Sequence, residues 1–184
     1  MTYLRFATAQ QVVEAYPVLR DEISVQGLNL EPFAFITSLV ADGQPRQALA
    51  FCAFLLPRRE AVQWLCLTLR ATPPAPAGAD DRLLKLAEEW VRSPTETARR
   101  AAMEAGMQDT SKGACAWAAL AAGWCGGNLS DNAEQPVPPP AHLTGHAVKV
   151  GLTLVIARLP MAQQPKRMEE LVRDAVALLK RGKA

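Results

Sequence analysis

His142 and His146 are the only histidines in the 184-residue chain, and they stand four residues apart. On a helix that spacing puts both rings on one face, the arrangement used by two-histidine zinc sites. No glutamate adjoins His142, and no third ligand follows at a telling distance, although Cys115 or Cys125 can approach only if the fold brings them there. The pair therefore reads as exposed or cap-proximal histidines, with no metal and no cofactor expected. So few histidines also narrow acid–base and triad chemistry to what carboxylates or lysines can supply. No complete catalytic constellation is legible, and the chain reads as a non-enzyme.

Arg58 and Arg59 carry a different kind of signal. Pro57-Arg58-Arg59-Glu60 looks like the first turn of a helix. Two cations there meet the positive end of the helix dipole, which costs ~0.3–1 kcal/mol each. Something should offset that. Ion pairing with Glu60, Glu88 or Glu89 is one answer. An acidic partner or phosphate, gripped by the guanidinium forks, is the other.

Trp64, Trp90, Trp117 and Trp124 all fall at apolar helical positions. Tryptophan fills cores and also dominates binding hot spots. Trp90 and Trp117 lie squarely on apolar stripes and read as core. Trp124 ends its helix directly before Gly126-Gly127, glycines that suit the left-handed backbone of a helix C-terminus. A Gly-Gly pair can also cradle phosphate, but that needs a following helix N-terminus, and a polar loop follows instead. The candidate partner-binding residues are thus Arg58, Arg59, Trp64, Trp124, Gly126 and Gly127. Gln135-Pro136-Val137-Pro138-Pro139-Pro140 can adopt polyproline II and is read as a stiff connector packed on its own domain.

The elements that must position these residues are helices. Pro32, Pro45, Pro57, Pro94, Pro140 and Pro165 each precede an apolar-periodic segment. Proline is tolerated at a helix start, where its missing N–H has no partner to lose. Ser93 with Glu96 forms a capping-box pattern, and Thr8 with Gln11 repeats it. Apolar residues recur at helical spacing, as in Ala48, Phe51, Cys52, Leu55 and Leu56. Helices are expected near 8–24, 31–41, 45–56, 57–71, 80–92, 94–107, 113–125, 141–158 and 165–181. Only Tyr3-Leu4-Arg5-Phe6 suggests a strand, with no sheet to join. Short connections imply antiparallel neighbours. The expected fold is all-α: one domain over 1–184, a helical bundle or short α-solenoid, with Pro-rich internal loops at 72–79 and 126–139.

Composition sets outer limits. Half the chain is hydrophobic (49%), enough for one core of ordinary domain size. A net charge of +2 gives no electrostatic footprint for nucleic acid. The four cysteines are neither paired at zinc spacing nor dense enough for a disulfide scaffold, so a reducing cytoplasm is expected. No apolar run approaches the ~20 residues of a membrane span, and the N-terminus lacks the pattern of a signal peptide.

With Leu56-Pro57-Arg58-Arg59-Glu60-Ala61-Val62-Gln63-Trp64 and Trp124-Cys125-Gly126-Gly127-Asn128-Leu129 in view, the chain resembles an uncharacterised bacterial family, a domain of unknown function associated with type VI secretion gene neighbourhoods. The likeness takes in Trp90, Pro94, Arg99-Arg100, Trp117, and Pro138-Pro139-Pro140 leading into Leu143 and Ala147-Val148, and spans most of 45–150. Gln63 stands where that pattern has a second tryptophan, and Cys125 and Asn128 stand where it has serines. The resemblance implies a cytoplasmic accessory protein of a secretion system. The expected function is a non-catalytic protein-interaction module (adaptor, chaperone or scaffold) whose partner is a secretion component or effector. The alternative is an immunity protein that blocks a cognate toxin. Oligomeric state is left open.

Overall fold

A computed structural model describes residues 5–130 and 134–181. Its α-helices are α1 (Ala9–Ala15), α2 (Pro32–Ala41), α3 (Pro45–Leu55), α4 (Arg58–Ala71), α5 (Gly78–Arg92), α6 (Glu96–Gln108), α7 (Ala114–Gly123), α8 (Leu143–Ala157) and α9 (Gln164–Arg181). The all-α expectation holds among the described residues, where no strand occurs. Tyr3 and Leu4, half of the one strand-like segment, lie outside them.

Proline acts as the sequence suggests. Pro32 and Pro45 occupy the first positions of α2 and α3, and Pro57 immediately precedes α4. The expected helix over 8–24 is a correction: α1 stops at Ala15, and the chain continues as a single 3₁₀ turn, Pro17–Leu19. Pro17 disfavours helical backbone at the residue before it, and Tyr16 accordingly sits at φ −130°, ψ 78°. A second correction concerns α6. Its cap is Thr95, not Ser93: the Thr95 hydroxyl accepts from the Ala98 N–H at 3.2 Å. Ser93 instead terminates α5.

The core runs continuously from Ala9 on α1 to Leu179 on α9. Helix α7, of sequence ACAWAALAAG, is buried along nearly its whole length, so other helices must pack on most sides of it. Small residues let them come close. A Cβ added at Gly123 would lie 2.5 Å from Met103 Cβ and 2.7 Å from its Cα, so α6 and α7 meet almost backbone to backbone there. Helix α9 returns against α3 and α4, far back in the sequence, as well as against its neighbour α8. That closure makes the fold a bundle rather than an open solenoid, in which each unit would touch only its neighbours. No described helix is long and apolar enough to cross a membrane.

Contacts between neighbours from α4 to α8 run antiparallel: Arg59 meets Val91 and Arg70 meets Asp81, Gly123 meets Met103 and Gly106 meets Leu120, and Thr144 meets Trp124. The N-termini of α4, α6 and α8 therefore gather with the C-termini of α5 and α7 at one end of the bundle.

Candidate functional site

At that end, arginines tie helix termini together. Arg58, in the first turn of α4, donates from Nη1 to the Cys125 carbonyl at 2.9 Å, just beyond α7. Arg59 donates from Nε to the Val91 carbonyl at 2.7 Å, in the last turn of α5. The charges that oppose their own helix's positive end are thus delivered to the carbonyl-rich, negative ends of two other helices. Among the described residues the expected ion pairs with Glu60, Glu88 and Glu89 do not occur. Glu88 is held by Arg70 and Glu89 by Arg92, so the offset comes from backbone oxygens.

Arg99 on α6 is the centre of the arrangement, and it is only 3% exposed. Its Nε and Nη2 grip the two carboxylate oxygens of Glu96, each at 2.7 Å. Nη1 donates to the Gly123 carbonyl at the end of α7, and Nη2 also reaches the Asn128 carbonyl at 3.1 Å. The Arg99 guanidinium, helped by Arg100, holds the Glu96 carboxyl below its ordinary 4.5. A buried guanidinium with its donors satisfied fixes position as well as charge. Gly127 completes the fit. It has φ +69°, and a Cβ there would lie 2.5 Å from Arg99 Nε. Both its backbone and its missing side chain are required. Gly126 has open space around it and a negative φ, so only one of the two expected left-handed glycines is real.

The following loop is pinned as well. Asn128 Oδ1 accepts from the N–H groups of Ser130 at 3.0 Å and Val137 at 2.5 Å, while the Leu129 N–H donates to the Val137 carbonyl at 2.8 Å. In the proline run Pro139 alone is buried, while Gln135 to Pro138 and Pro140 are exposed. Residues 131–133 of the expected 126–139 loop lie outside the described residues. Thr144, near the start of α8, closes the end by donating from Oγ1 to the Trp124 carbonyl at 3.1 Å.

On this scaffold stand three half-buried rings. Trp117 packs edge-on against Trp124 and against His146, with centroids 6.3 Å apart in each case. Trp117 was expected in the core; it packs against the core but stays partly exposed beside Trp124, seven residues and two helical turns away. Trp64 is the opposite correction. It is 1% exposed, so it cannot reach a partner from the folded surface. Its indole N–H finds no acceptor among the described residues.

Nucleophiles and ligands are poorly provided. Burial pushes the thiols up, Cys52 and Cys125 to about 12 and Cys115 to about 11, and raises Cys66 also. Thiols that stay protonated are weak nucleophiles and weak metal ligands. Among the described residues, no group of three or more His, Cys, Asp or Glu converges as a metal site would require. His142 precedes α8 as its cap residue, and His146 faces Trp117.

The residues that pattern with the resemblance thus assemble at one end of the bundle: Arg58, Arg59, Arg99, Trp117, Trp124 and Gly127. Sequence reasoning missed the part played by Arg99. The available signal was Glu96 three residues before it, a salt-bridge spacing on a helix. The model of a family of unknown function, DUF6931, matches residues 35–179. No curated protein and no solved structure matches.

Proposed function

The chain belongs to the DUF6931 family, and we propose that it acts as a non-catalytic protein-interaction module, an accessory to a bacterial secretion system of the type VI kind. The observation that carries the interaction reading is the partly exposed Trp117–Trp124–His146 cluster on an end whose helix termini are already fixed. Aromatic side chains held rigidly lose little entropy on binding, which is why such clusters anchor interfaces. The arginines there spend their hydrogen bonds on carbonyls within the fold, which favours a role in building the platform over direct capture of an acidic partner. The secretion context rests on the sequence resemblance alone.

Affinity capture from a bacterium that encodes the chain, with mass spectrometry of co-purifying proteins, tests the proposal. The expected result is a secretion component or effector that is retained by the wild type and lost with the folded Trp117→Ala/Trp124→Ala variant. Capture of a single toxin, with loss of its activity, would establish the immunity alternative instead. Equal capture by the wild type and the variant would remove this surface.

A further inference from the structure

A second feature lies on the other flank of α8. A cavity of about 380 Å³ opens between α3, α8 and the start of α9, within the ~300–1,000 Å³ range of small-molecule sites. Leu49, Val150, Leu154, Ile156 and Met168 give it an apolar lining. Its polar groups are two cations, Arg46 and Lys149, one carboxylate, Glu22, and the side chains of His146, Thr153 and Gln164. Among the described residues Arg46 forms no ion pair or hydrogen bond, and Glu22 is the one carboxylate paired with Lys149. His146 also lines it, and burial together with Lys149 lowers the pKa of that ring. With His146 neutral, two cations and one carboxylate leave one positive charge in excess beside an apolar lining. Thr153 adds no competing donor, because its hydroxyl donates to the Lys149 carbonyl at 2.8 Å.

We propose that this cavity binds a small amphipathic monocarboxylate, with an aliphatic chain against Leu49, Leu154 and Met168 and the carboxylate between Arg46 and Lys149. A single negative charge answers the single excess positive charge. The apolar body replaces the water that such a lining holds poorly. A dianion would overcompensate, and a cation would meet two like charges. The site is separate from the proposed partner surface, touching it only through His146, and stands or falls independently of that reading.

Octanoate is the probe, titrated below its micelle concentration and followed by calorimetry and by amide shifts. The expected result is saturable one-to-one binding with shifts centred on His146, Val150 and Leu154. Octanol and octylamine should bind at least tenfold more weakly. Arg46→Gln/Lys149→Gln, with an unchanged melting temperature, should also lose at least tenfold. Leu154→Trp, which fills the cavity while leaving the cations in place, should abolish binding. Absence of saturable octanoate binding would overturn the site. So would equal binding of octanoate and octanol, or undiminished binding to Leu154→Trp.

Discussion

The two ends of the bundle are held by different physics. At one end, Arg58, Arg59 and Arg99 donate to backbone carbonyls at the termini of α5 and α7, and Arg99 is buried. Towards the other end, Arg70 of α4 binds Asp81 at 2.6 Å and Glu88 at 2.7 Å on α5, with Lys85 adding a 2.8 Å bridge to Asp81. Those partners are solvated. Exposed ion pairs contribute little and are screened by salt, whereas a buried donor bonded to helix-end carbonyls leaves polar groups stranded if it is removed. The first end is therefore built for a fixed geometry. The second staples a helical hairpin and tolerates loosening.

Substitutions at the buried arginine should show this most strongly. Arg99→Met strands the Gly123 and Asn128 carbonyls and removes the partner that positions Glu96. A loss of about 3 kcal/mol is expected, which for a chain of this size lowers the melting temperature by roughly 10 °C. The same contact sets a pH dependence. Glu96 has a folded pKa below 4.5, so its contribution is complete above the unfolded value and is lost as pH falls through the folded one. Thermal melts between pH 7 and 3 should show a loss of stability on the acid side that is smaller in Arg99→Met. An unchanged loss would assign acid sensitivity elsewhere.

Gly127→Ala comes next. The positive φ and the collision with Arg99 together should cost about 2 kcal/mol, while Gly126→Ala, with space around it, should be nearly neutral. Chemical denaturation of the two variants side by side reads the difference. Arg58→Ala, losing one bond to the Cys125 carbonyl, should cost about 1 kcal/mol. The smallest effect belongs to the solvated end. Arg70→Ala should cost less than ~1 kcal/mol at low ionic strength and almost nothing in 1 M salt. An Arg70→Ala loss as large and as salt-resistant as that of Arg99→Met would erase the distinction between the ends.

The helices were legible because their cues are local. Proline starts and apolar spacing placed α2, α3 and α4 within a residue or so of their observed ends. The failures have local causes as well. Pro17 cut the first helix, and Thr95 displaced Ser93 as cap because the chain stays extended at Thr95 before turning helical. The site was only half legible. That Arg58 and Arg59 need compensation follows from the helix dipole, but which groups supply it depends on contacts 67 and 32 residues away in sequence. No local pattern encodes that. Burial misled in both directions: Trp64 and Trp117 share an apolar helical context, yet one is enclosed and the other borders solvent, because α4 and α7 differ in which flank their neighbours leave open.

Hydroxyl-radical footprinting of the chain with and without its captured partner is the most direct test of the interaction reading. The clasped end predicts that oxidation of Trp117 and Trp124 falls on binding, while exposed Leu67 and Met107, towards the opposite end, oxidise as before. Protection of Leu67 and Met107 with the two tryptophans unchanged would contradict it.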